Sequence, residues 1–125
     1  MQLTGTFQIT GWDETTEQTF DNGAKLNIAS VKQAYTGAIQ GNSEIKYIMN
    51  YHPSGNADFA GFEYIKAQIN GKETELTLKH DGKFENGVAS SHFLIVQSSN
   101  DESLIGKTGE FTSGEGGKAD YKIDS

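Results

Sequence analysis

The chain has 125 residues, 34% of them hydrophobic, with 7 Phe, 5 Tyr and 1 Trp spread along its length, which fits one hydrophobic core and leaves little room for a second domain. A formal charge of -7 argues against nucleic acid as a partner, because phosphate-binding surfaces collect lysine and arginine. The absence of cysteine rules out a disulfide framework and fits the cytoplasm, and no apolar run approaches membrane-spanning length.

From residues 1–9 onward, polar and apolar side chains alternate, without the basic start and apolar run of a secretory signal. That period of two predicts strands over about 2–11, 25–40, 44–52, 58–69, 73–84, 88–97, 108–112 and 118–123. Residues 13–22 read as a long acidic, Thr-rich connection. Residues 98–107 read as another, with one short helical turn. Such a meander would leave exposed edges unless its first and last strands met. The expected fold is therefore all-β, a closed antiparallel up-and-down β-barrel forming one domain over 1–125.

Two Asn-Gly pairs fix the register, since Asn-Gly between alternating runs favours a two-residue hairpin loop. Asn70-Gly71 sets Gly61 opposite His80, Glu63 opposite Leu78 and Ile65 opposite Leu76. Asn86-Gly87 sets Leu78 opposite Ile95, His80 opposite Phe93 and Gly82 opposite Ser91. Both turns assign the same inner face, and a slip by one residue would invert it. That face collects Phe59, Ile65, Leu76, Leu78, Phe93 and Ile95, with Tyr47 and Met49 from the third strand and Val31, Tyr35 and Ile39 from the second.

Gln33, Glu63 and His80 break this apolar face. Glu63 and His80 are diagonal neighbours within reach of a hydrogen bond, and Tyr47 falls near Gly61 and Glu63. An inward carboxylate is costly unless it is hydrogen-bonded, protonated or wet. The cluster is either a satisfied core network or the polar lining of a pocket, because barrels of this size can hold one small ligand. Glu63, His80, Tyr47 and Gln33 are the candidate ligand-binding residues, and no catalytic residue is assigned.

Several segments carry a family resemblance: Lys25-Leu26, Ala29-Ser30-Val31, Tyr35-Thr36-Gly37, Ile39-Gln40-Gly41, Phe59-Ala60-Gly61-Phe62-Glu63, Lys79-His80-Asp81-Gly82-Lys83-Phe84, Leu104-Ile105-Gly106 and Thr108-Gly109-Glu110-Phe111. Together they resemble an uncharacterised bacterial domain-of-unknown-function family placed with the allene oxide cyclase-like barrels. The resemblance implies a closed eight-stranded barrel. For distant relatives it implies cyclisation of an unsaturated fatty-acid epoxide or guidance of phenoxy-radical coupling. The chain departs from the family's Gly-rich run at Asn100, Asp101 and Glu102.

Other motifs fail on context. Gly106-Lys107-Thr108 lacks the first glycine and the following helix of a phosphate loop. His52, His80 and His92 cannot share one ion, so no metal and no cofactor is implied. Gly11-Trp12 is similar to the start of lipocalin-like and biotin-binding barrels, yet a tryptophan near a strand end reads as a core plug. Phe62, Tyr64, His92, Leu94 and Val96 face outward and suggest a homo-oligomer. The resulting expectation is a protein that binds a small apolar molecule, with cyclase- or isomerase-like activity as its enzymatic form. The alternative is a structural or oligomerisation domain without a ligand.

Overall fold

A computed structural model describes residues 2–124, so Met1, where the alternation begins, lies outside the described residues. The alternation resolves into β1 (Gln2–Thr19), β2 (Lys25–Gly37), β3 (Ile39–Tyr51), β4 (Ala57–Ile69), β5 (Lys72–Glu85), β6 (Val88–Ser98), β7 (Thr108–Ser113) and β8 (Lys118–Asp124). A single 3₁₀ turn, Glu102–Leu104, interrupts the connection after β6, and its Leu104 is buried. Each strand is antiparallel to its chain neighbours, and β1 meets β8.

Asn70 and Gly71 both have positive φ (54° and 77°), as do Asn86 and Gly87 (53° and 83°), the backbone that the primed two-residue turn demands. The registers that follow are those expected from the sequence, with Gly61 opposite His80, Glu63 opposite Leu78, and His80 opposite Phe93. On the third strand, Tyr47 stands opposite Gly61.

The eight strands close in chain order into an antiparallel barrel whose strands differ widely in length. β1 has 18 residues, whereas β7 has 6 and β8 has 7. The closing register covers only Gln2–Gln8 against Lys118–Asp124, so the rest of β1 is paired with β2 alone apart from one bond, Ile9 N to the Gly117 carbonyl at 2.8 Å. The β7–β8 hairpin is too short to follow β1 upward. The sheet thus closes as a belt, and the upper half of β1 overhangs a notch above that hairpin.

The reading of 13–22 as a connection is corrected, because β1 runs on to Thr19. A bulge explains why the alternation was lost there. Ile9 pairs with Gln33 and Gly11 with Lys32, so Thr10 is an extra residue that shifts the inward parity. Leu3, Phe7 and Ile9 face the interior before it; Trp12 and Glu14, opposite buried Val31 and Ala29, face it afterwards. The predicted strand 25–40 is likewise two strands, split where Gly37 turns the chain with φ 91°.

Apolar packing fills the lower part of the ring with Ile39, Ile45, Ile65, Leu76, Leu78 and Ile95, each almost wholly buried. The Tyr121 hydroxyl ties β8 to the β2–β3 turn, accepting from Ile39 N at 2.9 Å and donating to the Thr36 carbonyl at 2.8 Å. Outside, Phe62, Tyr64 and Leu94 are exposed, as the alternation predicts, while Lys79 and Asp81 of β5 lie between them.

Candidate functional site

Glu63 is 1% exposed and His80 is 2% exposed, and neither is left unpaired. Glu63 Oε1 lies 2.6 Å from His80 Nε2, and the Tyr35 hydroxyl donates to Glu63 Oε2 at 2.5 Å. On its other side, His80 Nδ1 lies 2.8 Å from Ser91 Oγ, and that hydroxyl has the Asp81 and His92 carbonyls within 3.4 and 3.3 Å. With the Ser91 proton directed to a carbonyl, Nδ1–H donates to Ser91, and one proton remains to be shared between Glu63 and His80. The result is a closed chain, Tyr35–Glu63–His80–Ser91, crossing four strands.

The sequence placed Glu63 and His80 together, and the structure bonds them. It did not bring in Tyr35 or Ser91. Tyr35 was counted as apolar because its ring alternates with the core, and Ser91 is too small to mark itself as a partner. The signal that could have found Ser91 was the Asn86-Gly87 register, which sets it opposite Gly82, one diagonal step from His80.

Above this chain lies a cavity of about 230 Å³ whose wall includes Phe7, Tyr47, Phe59, Phe84 and Phe111. Tyr47 packs edge-on against both Phe59 and His80, with ring centroids 4.9 and 5.8 Å apart, and Phe111 packs edge-on against His80 at 5.7 Å. These rings separate the Glu63–His80 pair from the cavity. Of the four candidates, Tyr47 and Gln33 line the hollow, whereas Glu63 and His80 lie behind its wall.

Two of the lining residues also carry unmet hydrogen-bonding capacity in the protein interior. The Tyr47 hydroxyl and Gln33 Oε1 are buried and have no partner, although buried polar atoms are almost always paired. Burial, and secondarily the charge of Glu63, pushes the Tyr47 hydroxyl well above the ordinary tyrosine range, so it is a neutral group at physiological pH.

At the mouth, Trp12, Ser113, Gly114 and Lys118 border the notch left by the short β7–β8 hairpin. Trp12 is 47% exposed, so the expectation of a core plug is corrected: the overhang of β1 carries its indole beyond the packed interior. Its Nε1 donates to Glu14 Oε1 at 2.9 Å, and Glu14 Oε2 accepts from Asn27 Nδ2 and, at 2.9 Å, from the Tyr51 hydroxyl. Burial pushes the Glu14 carboxyl up, but these donors and Lys25 outweigh it and hold it below the ordinary value.

Tyrosine burial gives a directional test against pH. Burial first, then the charge and hydrogen bond of a neighbouring carboxylate, raises Tyr35 well above 10 and Tyr51 to about 12. A group whose folded pKa is raised has its full stabilising effect below the unfolded value near 10 and loses it as pH rises towards the folded value. Denaturation midpoints should therefore hold at pH 9 and fall from pH 10 to 12. The tyrosinate absorbance of the buried hydroxyls should appear together with loss of the β circular dichroism signal. Ionisation of all five tyrosines well before that loss would contradict the burial.

Among the described residues there is no group of three or more His, Cys, Asp or Glu side chains suited to a metal ion. His92 projects outside, 3.7 Å from Glu110, and His52 bonds Asp58 at 2.9 Å. No helix in the same residues is long and apolar enough to cross a membrane. Larger hollows on the exterior, including one of about 560 Å³ beside Lys79, His92 and Glu110, are open to solvent.

A family model described as a protein of unknown function (DUF3224) matches residues 3–124. A solved structure, described as a protein of unknown function from the DUF3224 family of Shewanella oneidensis MR-1, is 21% identical. The match covers 98% of this chain and 93% of that chain with a TM-score of 0.69, which supports a shared fold alone. No curated protein matches the chain. The match stops at a family of unknown function, so the expected placement with allene oxide cyclase-like barrels is not carried further.

Proposed function

This chain belongs to the DUF3224 family of proteins of unknown function, and from that premise we propose that it binds a small, mostly apolar molecule in the cavity beneath Trp12. The observation that carries this reading is an apolar hollow of about 230 Å³ walled by Phe7, Met49, Phe59, Phe84 and Phe111 and bordered by Trp12. A hollow kept for packing alone would be closed by larger side chains, since voids in a core are destabilising. At about 230 Å³ it exceeds the roughly 150 Å³ engineered cavity that accepts benzene.

In this reading Tyr47 and Gln33 touch the ligand, while Glu63 and His80 hold the wall in place. Cyclase- or isomerase-like turnover would need an acid or base facing the bound molecule. The oxygens of Glu63 and the ring nitrogens of His80 are directed to Tyr35, to each other and to Ser91. The favoured function is therefore binding.

Native mass spectrometry of the purified protein, followed by denaturing extraction, tests the proposal. The expected result is a retained compound in wild type and its loss in Ala89→Leu, which fills the hollow from the wall. That variant should change stability by no more than about 1.5 kcal/mol, because the added carbons enter empty space. Equal retention by the filled variant would place the compound elsewhere, and a ligand-free wild type that refuses all small apolar probes would leave a purely structural domain.

A further inference from the structure

We infer that the free edge of β1 above the notch takes an extended, lysine- or arginine-bearing segment of another protein as an added antiparallel strand. This surface is separate from the hollow and its use does not depend on what fills the hollow. Beyond Gln8 the register with β8 stops, while pairing with β2 continues to Thr19. The phase of the ladder fixes which backbone groups face the empty side. Ile9 N donates across to the Gly117 carbonyl, so Ile9 and its β2 partner Gln33 turn their backbone groups away from each other. Counting along β2, Lys32 and Ser30 then point to β1, whereas Val31, Ala29 and Asn27 point away. The β1 partners of these last three, Trp12, Glu14 and Thr16, therefore aim N–H and C=O into the place that a further strand would occupy.

This edge is not blunted. Free edges are commonly protected by a lysine, a proline or a bulge. In β1 the irregularities fall at Thr10 and Glu17, and the regular stretch 11–16 between them contains neither lysine nor proline. Trp12, Asp13, Thr15 and Thr16 within it are exposed. Charge selects the guest. Residues 10–24 include Asp13, Glu14, Glu17 and Asp21 but no lysine or arginine. Glu14 is engaged on the inner side by Trp12, Asn27 and Tyr51. Asp13 and Glu17 are exposed and take part in no ion pair among the described residues. A second copy's β1 would set these carboxylates against their own kind, and like charges across a strand pair are destabilising. A guest with basic side chains on its outer face brings the opposite charge to Asp13, which alternates with inward Trp12 and Glu14.

The probe is a capped seven-residue peptide of alternating lysine and valine, titrated by calorimetry at pH 7. With its lysines facing out, an antiparallel guest directs its valine N–H groups at β1 and its lysine N–H groups at solvent. N-methylation of the valine amides should therefore weaken binding by about tenfold or more, whereas N-methylation of the lysine amides should change it by less than about threefold. Replacing every lysine by glutamate should also cost about tenfold or more. On binding, hydrogen exchange should slow at the amides of Trp12, Glu14 and Thr16, with little change at Asp13 and Thr15, which already point to β2. Equal loss on methylating either set, protection that bypasses Trp12, Glu14 and Thr16, equal binding of the glutamate peptide, or no binding of the parent peptide at millimolar concentration would each overturn the strand-addition site. None of these outcomes bears on the hollow, which Ala89→Leu tests separately.

Discussion

Glu63→Ala should destabilise the protein by roughly 3–5 kcal/mol, the range seen when one partner of a buried polar pair is removed. The change strips the Tyr35 hydroxyl and His80 Nε2 of their partner in a setting where both residues are buried and no solvent replaces it. Glu63→Gln provides the control. Its amide oxygen can accept from Tyr35, and its N–H can donate to a neutral His80, whose Nδ1–H still reaches Ser91. Most of the lost stability should therefore return. Urea denaturation of the three proteins measures this, and an alanine variant within 1 kcal/mol of wild type would mean that the chain of bonds is wet rather than buried.

Gly61→Ala is expected to cost about 3 kcal/mol or more, at the upper end of what overpacking does in a core. A Cβ on Gly61 would lie 2.0 Å from the Lys46 carbonyl oxygen and 3.0 Å from Tyr47 Cα, so β3 and β4 could keep their pairing only by moving apart. The missing side chain has a second effect. Gly61 stands between Tyr47 on one neighbour and His80 on the other, and the two rings meet across the gap it leaves. Loss of soluble protein, or a strongly lowered denaturation midpoint, is the expected outcome. Wild-type stability would show that the strands yield more easily than their backbone contacts imply.

How much of this was legible in the sequence depended on where geometry is local. Asn70-Gly71 and Asn86-Gly87 force a left-handed backbone at both positions, and from there pairing along β4, β5 and β6 follows by counting. That counting brought Glu63, His80 and Tyr47 together. It failed on β1, because the bulge at Thr10 changes which parity faces inward and the residues beyond it are mostly acidic or hydroxylated. The stretch beyond the bulge was read as a connection for that reason. The partnership of Tyr35 with Glu63 was hidden by ambiguity in the residue itself, since a tyrosine ring satisfies an apolar pattern whether or not its hydroxyl is needed. Which of Tyr47 and Glu63 faces the empty space depends on depth along the ring axis, and alternation contains no information about depth.

The narrow seam between β1 and β8 also governs how the molecule comes together. Every other pairing joins strands adjacent in the chain, whereas this one brings Gln2 against Asp124. Closing so long a loop has the largest entropic cost of any pairing in the sheet, although that cost grows only logarithmically with length. Seven register pairs and the Tyr121 latch must offset it. Because all other pairings are hairpins between chain neighbours, this one distant closure is the step expected to limit folding. Amides of Leu3 to Phe7 and Ala119 to Ile123 should then share one protection factor in hydrogen exchange, because the seam opens as a unit or not at all.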